Sequence, residues 1–200
     1  MLKTIARLTL GYAALVEGSA ALVRFRERSA AFKSASERAA TLGRKLVVVG
    51  DPDAGMHTRL LRAYGCGDVC VDANGCPRCP TTIVADITKG PTEGIADDSA
   101  VVFVSCVLEY VTDLKAALDE IARMAGSPQN VFIVTVQPWT LTARLYPGAR
   151  WRGTSEPAPG GHAVKMNPVE LDEKLAVSAG LLALGAAAFW PALKGKGRRS

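Results

Sequence analysis

Two hundred residues and 21.1 kDa suffice for one domain with a sizeable core and leave little room for a second. An apolar share of 48% against 22% charged excludes disorder of the whole chain, and nineteen Gly with eleven Pro exclude a collagen-like or proline-rich architecture. The net charge of +5 is mild and sits largely in the tail residues Lys194, Lys196, Arg198 and Arg199, so it marks neither a nucleic-acid nor a membrane binder by itself.

Residues 1–42 read as an N-terminal helical segment. From Leu8 to Val23 the chain is apolar and rich in small residues, broken by Glu17 alone, and the stretch from Arg24 alternates basic and apolar residues at helical spacing. Glu17 and the lack of a small-residue cleavage site argue against a secretory signal. An ordinary packed helix and a membrane-contacting one both fit.

Residues 43–137 carry short β-branched runs that alternate with turns and helical stretches. Lys45–Gly50, Asp68–Asp72, Thr81–Ala85, Ala100–Ser105 and Val131–Val136 are the expected strands. Helices are expected at Met56–Tyr64 and at about Leu114–Ala125. This alternation predicts a parallel sheet covered on both faces. Ligands of such sheets bind beyond the carboxyl ends of the strands, which puts Asp51–Gly55, Asp72–Asn74, Asp86–Ile87 and Ser105–Cys106 along one edge. Between the second and third strands, Asn74–Pro80 contains two prolines and excludes a normal helix.

Residues 138–167 form a Pro/Gly-rich region expected as loop, and 168–200 a C-terminal apolar helix with a basic tail. Asn167 is placed to cap that helix, Pro168 to take its first position, and Glu170 to stand three after the cap. Nineteen uncharged residues from Leu175 to Leu193 approach the ~20 a bilayer core requires. Trp190 and the basic tail follow at interface depth, which makes 175–193 a candidate membrane anchor.

The stretch from about Leu46 to Val136 resembles the class I S-adenosylmethionine-dependent methyltransferases. VVVGDPDAG stands where that family has its glycine-rich first motif, Asp72 at the second strand end and Asp86 after the third stand at its acidic positions, and Ile95–Met124 follows its fourth strand, turn and helix. The resemblance implies an α/β fold with a Rossmann-like methyltransferase sheet, truncated at its C-terminal part and with helices appended at both ends. It implies S-adenosylmethionine as cofactor, held by Gly50, Asp51, Gly55, Asp72, Ala73, Asp86, Ile87 and Ser105. Asp72 would accept from the ribose hydroxyls and Asp86 would reach the adenine amine. The first motif departs from the family: Val49 occupies its acidic position, and Pro52 and Asp53 replace a Cys-Gly pair. Asp53 would then stand beside the cofactor's own carboxylate and repel it.

Cys66, Cys70, Cys76 and Cys79 place four thiols within fourteen residues. Zinc, a Cys76–Cys79 pair and ordinary buried thiols are the alternatives, buried thiols being the simplest, and no metal is expected. Five cysteines, an odd number, predict a reducing compartment. Cys106 has no His or Asp near it in sequence to activate it as a nucleophile, and Glu109 and Tyr110 read as packing residues. His57 opens the first expected helix as a candidate base, and His162 reads as a loop residue. Trp139, Tyr146 and Trp151, interleaved with Arg144, Arg150 and Arg152, fit an acceptor pocket or a packed loop better than a nucleic-acid surface. The expected activity is methyl transfer to a small or lipid-like acceptor by a membrane-associated enzyme whose main domain lies on the cytoplasmic side. Its rival is a non-catalytic descendant, a pseudoenzyme docked in a membrane or a large protein assembly.

Overall fold

The computed structural model describes residues 2–54, 62–154 and 164–194, from 191 onward by backbone alone. Five strands, β1 (Lys45–Val49), β2 (Val69–Asp72), β3 (Thr82–Val84), β4 (Ala100–Ser105) and β5 (Val131–Val134), form one sheet in the order β3-β2-β1-β4-β5. Every pairing is parallel. The mixed α/β fold with a parallel sheet is therefore as the alternating pattern predicts. The strand order reverses between β1 and β4, and the crevice outside their carboxyl ends is where such sheets bind ligands.

Alternate side chains of each strand feed two cores. Val47, Val49, Val71, Val102, Val104 and Ile133 meet Ala117, Ile121 and Met124 of α2 (Leu114–Ala125). On the opposite face, Val48, Val101, Phe103, Phe132 and Val134 meet Ala31, Ala35 and Ala39 of α1 (Leu2–Leu42). The alanines recur every four residues, so the helix presents a shallow face that lets Phe103 and Phe132 fill the space. Each of these fully buried rings contributes about 1.5–3 kcal/mol of hydrophobic stabilisation. Helix α2 starts where the Asp113 side chain accepts the Ala116 amide at 2.9 Å and stops at Gly126, whose φ of 67° suits glycine.

The region 138–167, expected as loop, holds a five-residue helix α3 (Leu141–Leu145) and an antiparallel pair, β6 (Trp151–Gly153) with β7 (Met166–Pro168). Asn167 and Pro168 consequently lie in a strand opposite Arg152 and Trp151, and the last helix, α4 (Leu171–Lys194), begins after them instead of capping on Asn167. A proline without an N–H is tolerated at the end of such a two-stranded edge. The expected helix at Met56–Tyr64 falls largely outside the described residues, as do Gly55, His57 and His162.

Helix α1 runs unbroken for 41 residues and α4 (Leu171–Lys194) for 24, and the two pack side by side. Both are long and apolar enough to cross a membrane. The C-terminal half of α1 packs on the sheet, whereas its N-terminal half and α4 turn apolar side chains outward: Leu8, Tyr12, Leu15, Leu22, Leu175, Leu182 and Phe189 are all exposed. Their polar anchors lie toward the domain: Glu17 accepts the Thr142 amide at 2.9 Å, and Glu173 pairs with Arg144 and Arg152 at 3.1 and 2.7 Å.

Candidate functional site

A cavity of about 780 Å³ opens at the carboxyl ends of the strands, beside the point where strand order reverses. That size lies within the ~300–1,000 Å³ of small-molecule sites. Gly50, Asp51, Asp72, Ala73, Asp86, Ile87 and Ser105 all line it. They come from the ends of four different strands, and the eighth expected residue, Gly55, lies outside the described residues. A smaller hollow of about 300 Å³, lined by Lys45, Val47, Val69 and Ala100, lies toward the opposite ends of the strands.

The turn after β1 is built tightly. Gly50 has φ 99°, and a Cβ there would stand 2.5 Å from Val107 Cγ2, so glycine is required on both counts. Its amide donates to Val71 O at 2.8 Å. Asp51 accepts the Asp53 amide at 3.0 Å. Asp53 itself is buried and turned into Arg62, whose Nε and Nη2 donate at 3.1 and 2.8 Å, with Arg78 at 3.9 Å. The carboxylate expected to repel a bound carboxylate is thus neutralised by two arginines and is absent from the cavity lining.

Asp72 closes β2 and binds two backbone amides, that of Asp51 at Oδ2 (3.2 Å) and that of Asn74 at Oδ1 (2.7 Å). A carboxylate has about four acceptor sites, so two backbone donors leave room for a vicinal diol. Asp86 accepts the Thr88 amide and hydroxyl at 3.0 and 2.7 Å, and these bonds hold its pKa below the usual carboxylate range. It is therefore an anion whose orientation is fixed.

The other wall joins Tyr146, which the sequence offered for an acceptor pocket or a packed loop, and Tyr110, read as packing, to Arg24, Arg28 and Thr142, which the sequence left unassigned. Arg24 and Arg28 of α1, only 5% and 8% exposed, line the cavity with Tyr110, Thr142 and Tyr146. Arg28 Nη2 lies 2.9 Å from Cys106 Sγ, and Arg24 Nη2 lies 3.9 Å from Glu17. Arg24 Nη1 and Arg28 Nε have no hydrogen-bond partner among the described residues. Their signal was present as spacing. Ala20, Arg24, Arg28, Ala31, Ala35 and Ala39 form one buried line along α1, with two arginines where the pattern asks for small residues.

Behind them, Glu109 is fully buried and accepts the Val136 amide, while its carbonyl takes the Arg150 and Trp151 amides at 2.6 and 3.2 Å. Burial pushes its pKa up to about 7, with Arg28 and Arg24 pulling the other way. Cys106 sits at φ 53° at the end of β4, a strained conformation for a non-glycine residue. Burial raises its thiol to about 11, against the pull of Arg28, so at neutral pH it is a thiol and no activated nucleophile. Trp151 donates to Val111 O at 3.1 Å and Trp139 is half-exposed, while Arg144 and Arg152 are committed to Glu173. Apart from Tyr146, which lines the cavity, that aromatic and basic stretch is a packed corner of the domain.

The cysteines depart from the sequence reading. They form two nested disulfides, Cys66–Cys79 and Cys70–Cys76, in place of free buried thiols or a Cys76–Cys79 pair. The Asn74-Gly75 turn, with Gly75 at φ 77°, folds the chain back beside β2 and brings Cys76 to Cys70. Disulfides also run against the reducing compartment expected from the odd count. No family model matches the chain, and neither a curated protein nor a solved structure matches it.

Proposed function

We propose that the chain is a membrane-associated S-adenosylmethionine-dependent methyltransferase whose acceptor is a small or lipid-like molecule with an acidic group. The observation that carries this reading is the convergence of Gly50, Asp51, Asp72, Asp86 and Ser105, from separate strand ends, on one cavity at the strand-order switch. The residues present suit the cofactor. Asp72 keeps acceptor sites for the ribose hydroxyls, and Asp86 stands fixed and ionised for the adenine amine. Gly50 removes the side chain that would close the turn. When bound, S-adenosylmethionine supplies a methyl group activated on a sulfonium.

For the acceptor, Arg24 and Arg28 place two guanidinium charges in the cavity wall, a setting that favours a carboxylate or phosphate. Thr142 and Tyr146 supply further polar contacts on that wall. Arg24 lies on the same helix as the exposed Leu15, about 14 Å along its axis, so an amphiphile seated on the apolar helices has a short route to the arginines. The chain's catalytic contribution is orientation: fixed backbone at the strand ends and two anchored arginines hold the reactants in line. Incubating the full chain in mixed vesicles with methyl-labelled cofactor and acidic lipids tests this. Label should enter the organic phase, and less of it with Arg28→Met.

The rival reading, a non-catalytic scaffold held by its apolar helices, rests on Val49 and Pro52 in the first turn. It predicts no cofactor binding at all.

A further inference from the structure

We infer that the four cysteines, when reduced, form a structural zinc site that holds the β2–β3 connection in place. The site is independent of the cavity's chemistry. Three features converge on it.

The sulfurs are already gathered. Sγ of Cys70, Cys76 and Cys79 lie within 4.8 Å of one another, and that of Cys66 is bonded to that of Cys79. A tetrahedral thiolate site with Zn–S bonds of about 2.3 Å has sulfurs roughly 3.8 Å apart. Three of the four sulfurs are thus already within reach of one ion, and opening the disulfides frees Cys66, bonded to Cys79, to turn in as the fourth ligand.

The ligands also come as two short-spaced pairs on fixed backbone. Cys70 is inside β2, in register with Val48, and Cys66 approaches that strand through Gly67. Gly67 has φ 63°, and a Cβ there would stand 2.6 Å from Leu46 O. Cys76 and Cys79 close a tight turn, Cys79 N donating to Cys76 O at 3.0 Å, and Cys76 N is held by Thr82 Oγ1 at 3.0 Å. Spacings of three and two residues within the pairs are those of zinc-binding knuckles. The five-residue gap between the pairs, short in sequence, is spanned by the Asn74-Gly75 turn.

Third, apart from the cysteines this segment has no apolar anchor among the described residues. A helix normally links parallel neighbours such as β2 and β3, but here the connection has none. The buried cluster beneath it consists of the cysteines themselves. A segment with so little apolar anchorage needs a cross-link: the two disulfides supply it when the cysteines are oxidised, and a metal supplies it when they are reduced. Arg78, between Cys76 and Cys79, reaches Asp53, so the same site steadies the turn after β1.

The chemistry balances with a dithiol reductant and one Zn2+ from solution. Each disulfide takes two electrons and two protons from a dithiol reductant, which leaves as its own disulfide. The four thiols then release four protons to the solvent as they bind one Zn2+, giving a tetrathiolate of net charge −2.

The test uses the full chain, purified in mild detergent under argon with a dithiol and no chelator, then freed of excess zinc. The expected result is one zinc per chain by atomic emission. Cobalt replacement should give the charge-transfer and d–d bands of a tetrahedral thiolate site. Alkylation of the four thiols should require a chelator. Cys66→Ser and Cys79→Ser should each lower zinc retention at least tenfold. Should either variant fail to fold, the cobalt spectrum of the unaltered chain decides. Reduced protein that holds no zinc, zinc bound equally by the serine variants, or a chain that stays four hydrogens lighter under the dithiol would each overturn the inference.

Discussion

Asp72 accepts the backbone amide of Asp51 at 3.2 Å, and so ties the end of β2 to the turn after β1. One carboxylate thereby fixes the floor of the cavity while keeping acceptor sites for a ligand. Asp72→Asn retains an oxygen for one amide but loses the charge. It should weaken S-adenosylhomocysteine binding by roughly tenfold to a hundredfold, the weight of a charge-assisted hydrogen bond of about 1.5–3 kcal/mol. Calorimetric titration of variant and parent measures this, and equal affinities would remove Asp72 from the cofactor site.

Gly50 provides a second test of that floor. Gly50→Ala forces a side chain into φ 99° and against Val107, at an expected cost of about 1–3 kcal/mol. Thermal unfolding should shift down by several degrees and cofactor binding should fall. Gly180→Ala, on α4 with open space around it, should leave both unchanged or slightly improved. Matching losses in the two variants would mean that the Gly50 turn is not tightly packed.

Glu109 makes stability depend on pH in a defined direction. Its carboxyl is raised by burial to about 7 from an ordinary value near 4.5, so the folded chain keeps this proton to higher pH than the unfolded one does. The folded state is favoured most below the unfolded pKa, and that advantage is lost as pH rises through about 7. Melting temperatures measured from pH 5 to 8 should therefore decline across this window. Glu109→Gln should flatten the decline while keeping the acceptor for the Val136 amide. An unchanged slope would show that Glu109 ionises freely.

The apolar helices predict an asymmetric response to charge. Leu15 and Leu182 are 70% and 75% exposed, positions where a soluble surface helix accepts aspartate at little cost. In a bilayer core each charge costs about 2.5–3.5 kcal/mol. The parent should float with liposomes and resist alkaline extraction, whereas Leu15→Asp with Leu182→Asp should pellet poorly with membranes. If the double variant floats as well as the parent, these faces meet something other than lipid.

What the sequence disclosed follows from the range of the interactions. The strands were legible because Val47–Val49, Val101–Val104 and Val131–Val134 are apolar runs that only a doubly covered sheet buries. That Asp72, Asp86 and Ser105 stand at one cavity was legible because residues at the carboxyl ends of neighbouring parallel strands meet along one edge. Arg24 and Arg28 were marked only by their spacing along the alanine line, and whether that line meets a cavity depends on which helix face docks. The cysteine pairing was hidden by the turn at Asn74-Gly75, and the start of α4 by the pairing of β7 with β6, a contact between segments far apart in the chain.

The measurement closest to the central claim is calorimetric titration of S-adenosylhomocysteine into the full-length chain in mild detergent. The account predicts saturable binding in the micromolar range at one site per chain, suppressed by Asp72→Asn. No heat and no thermal shift at millimolar ligand would contradict it, and would leave the cavity between β1 and β4 as the remnant of a fold kept for what its two apolar helices hold.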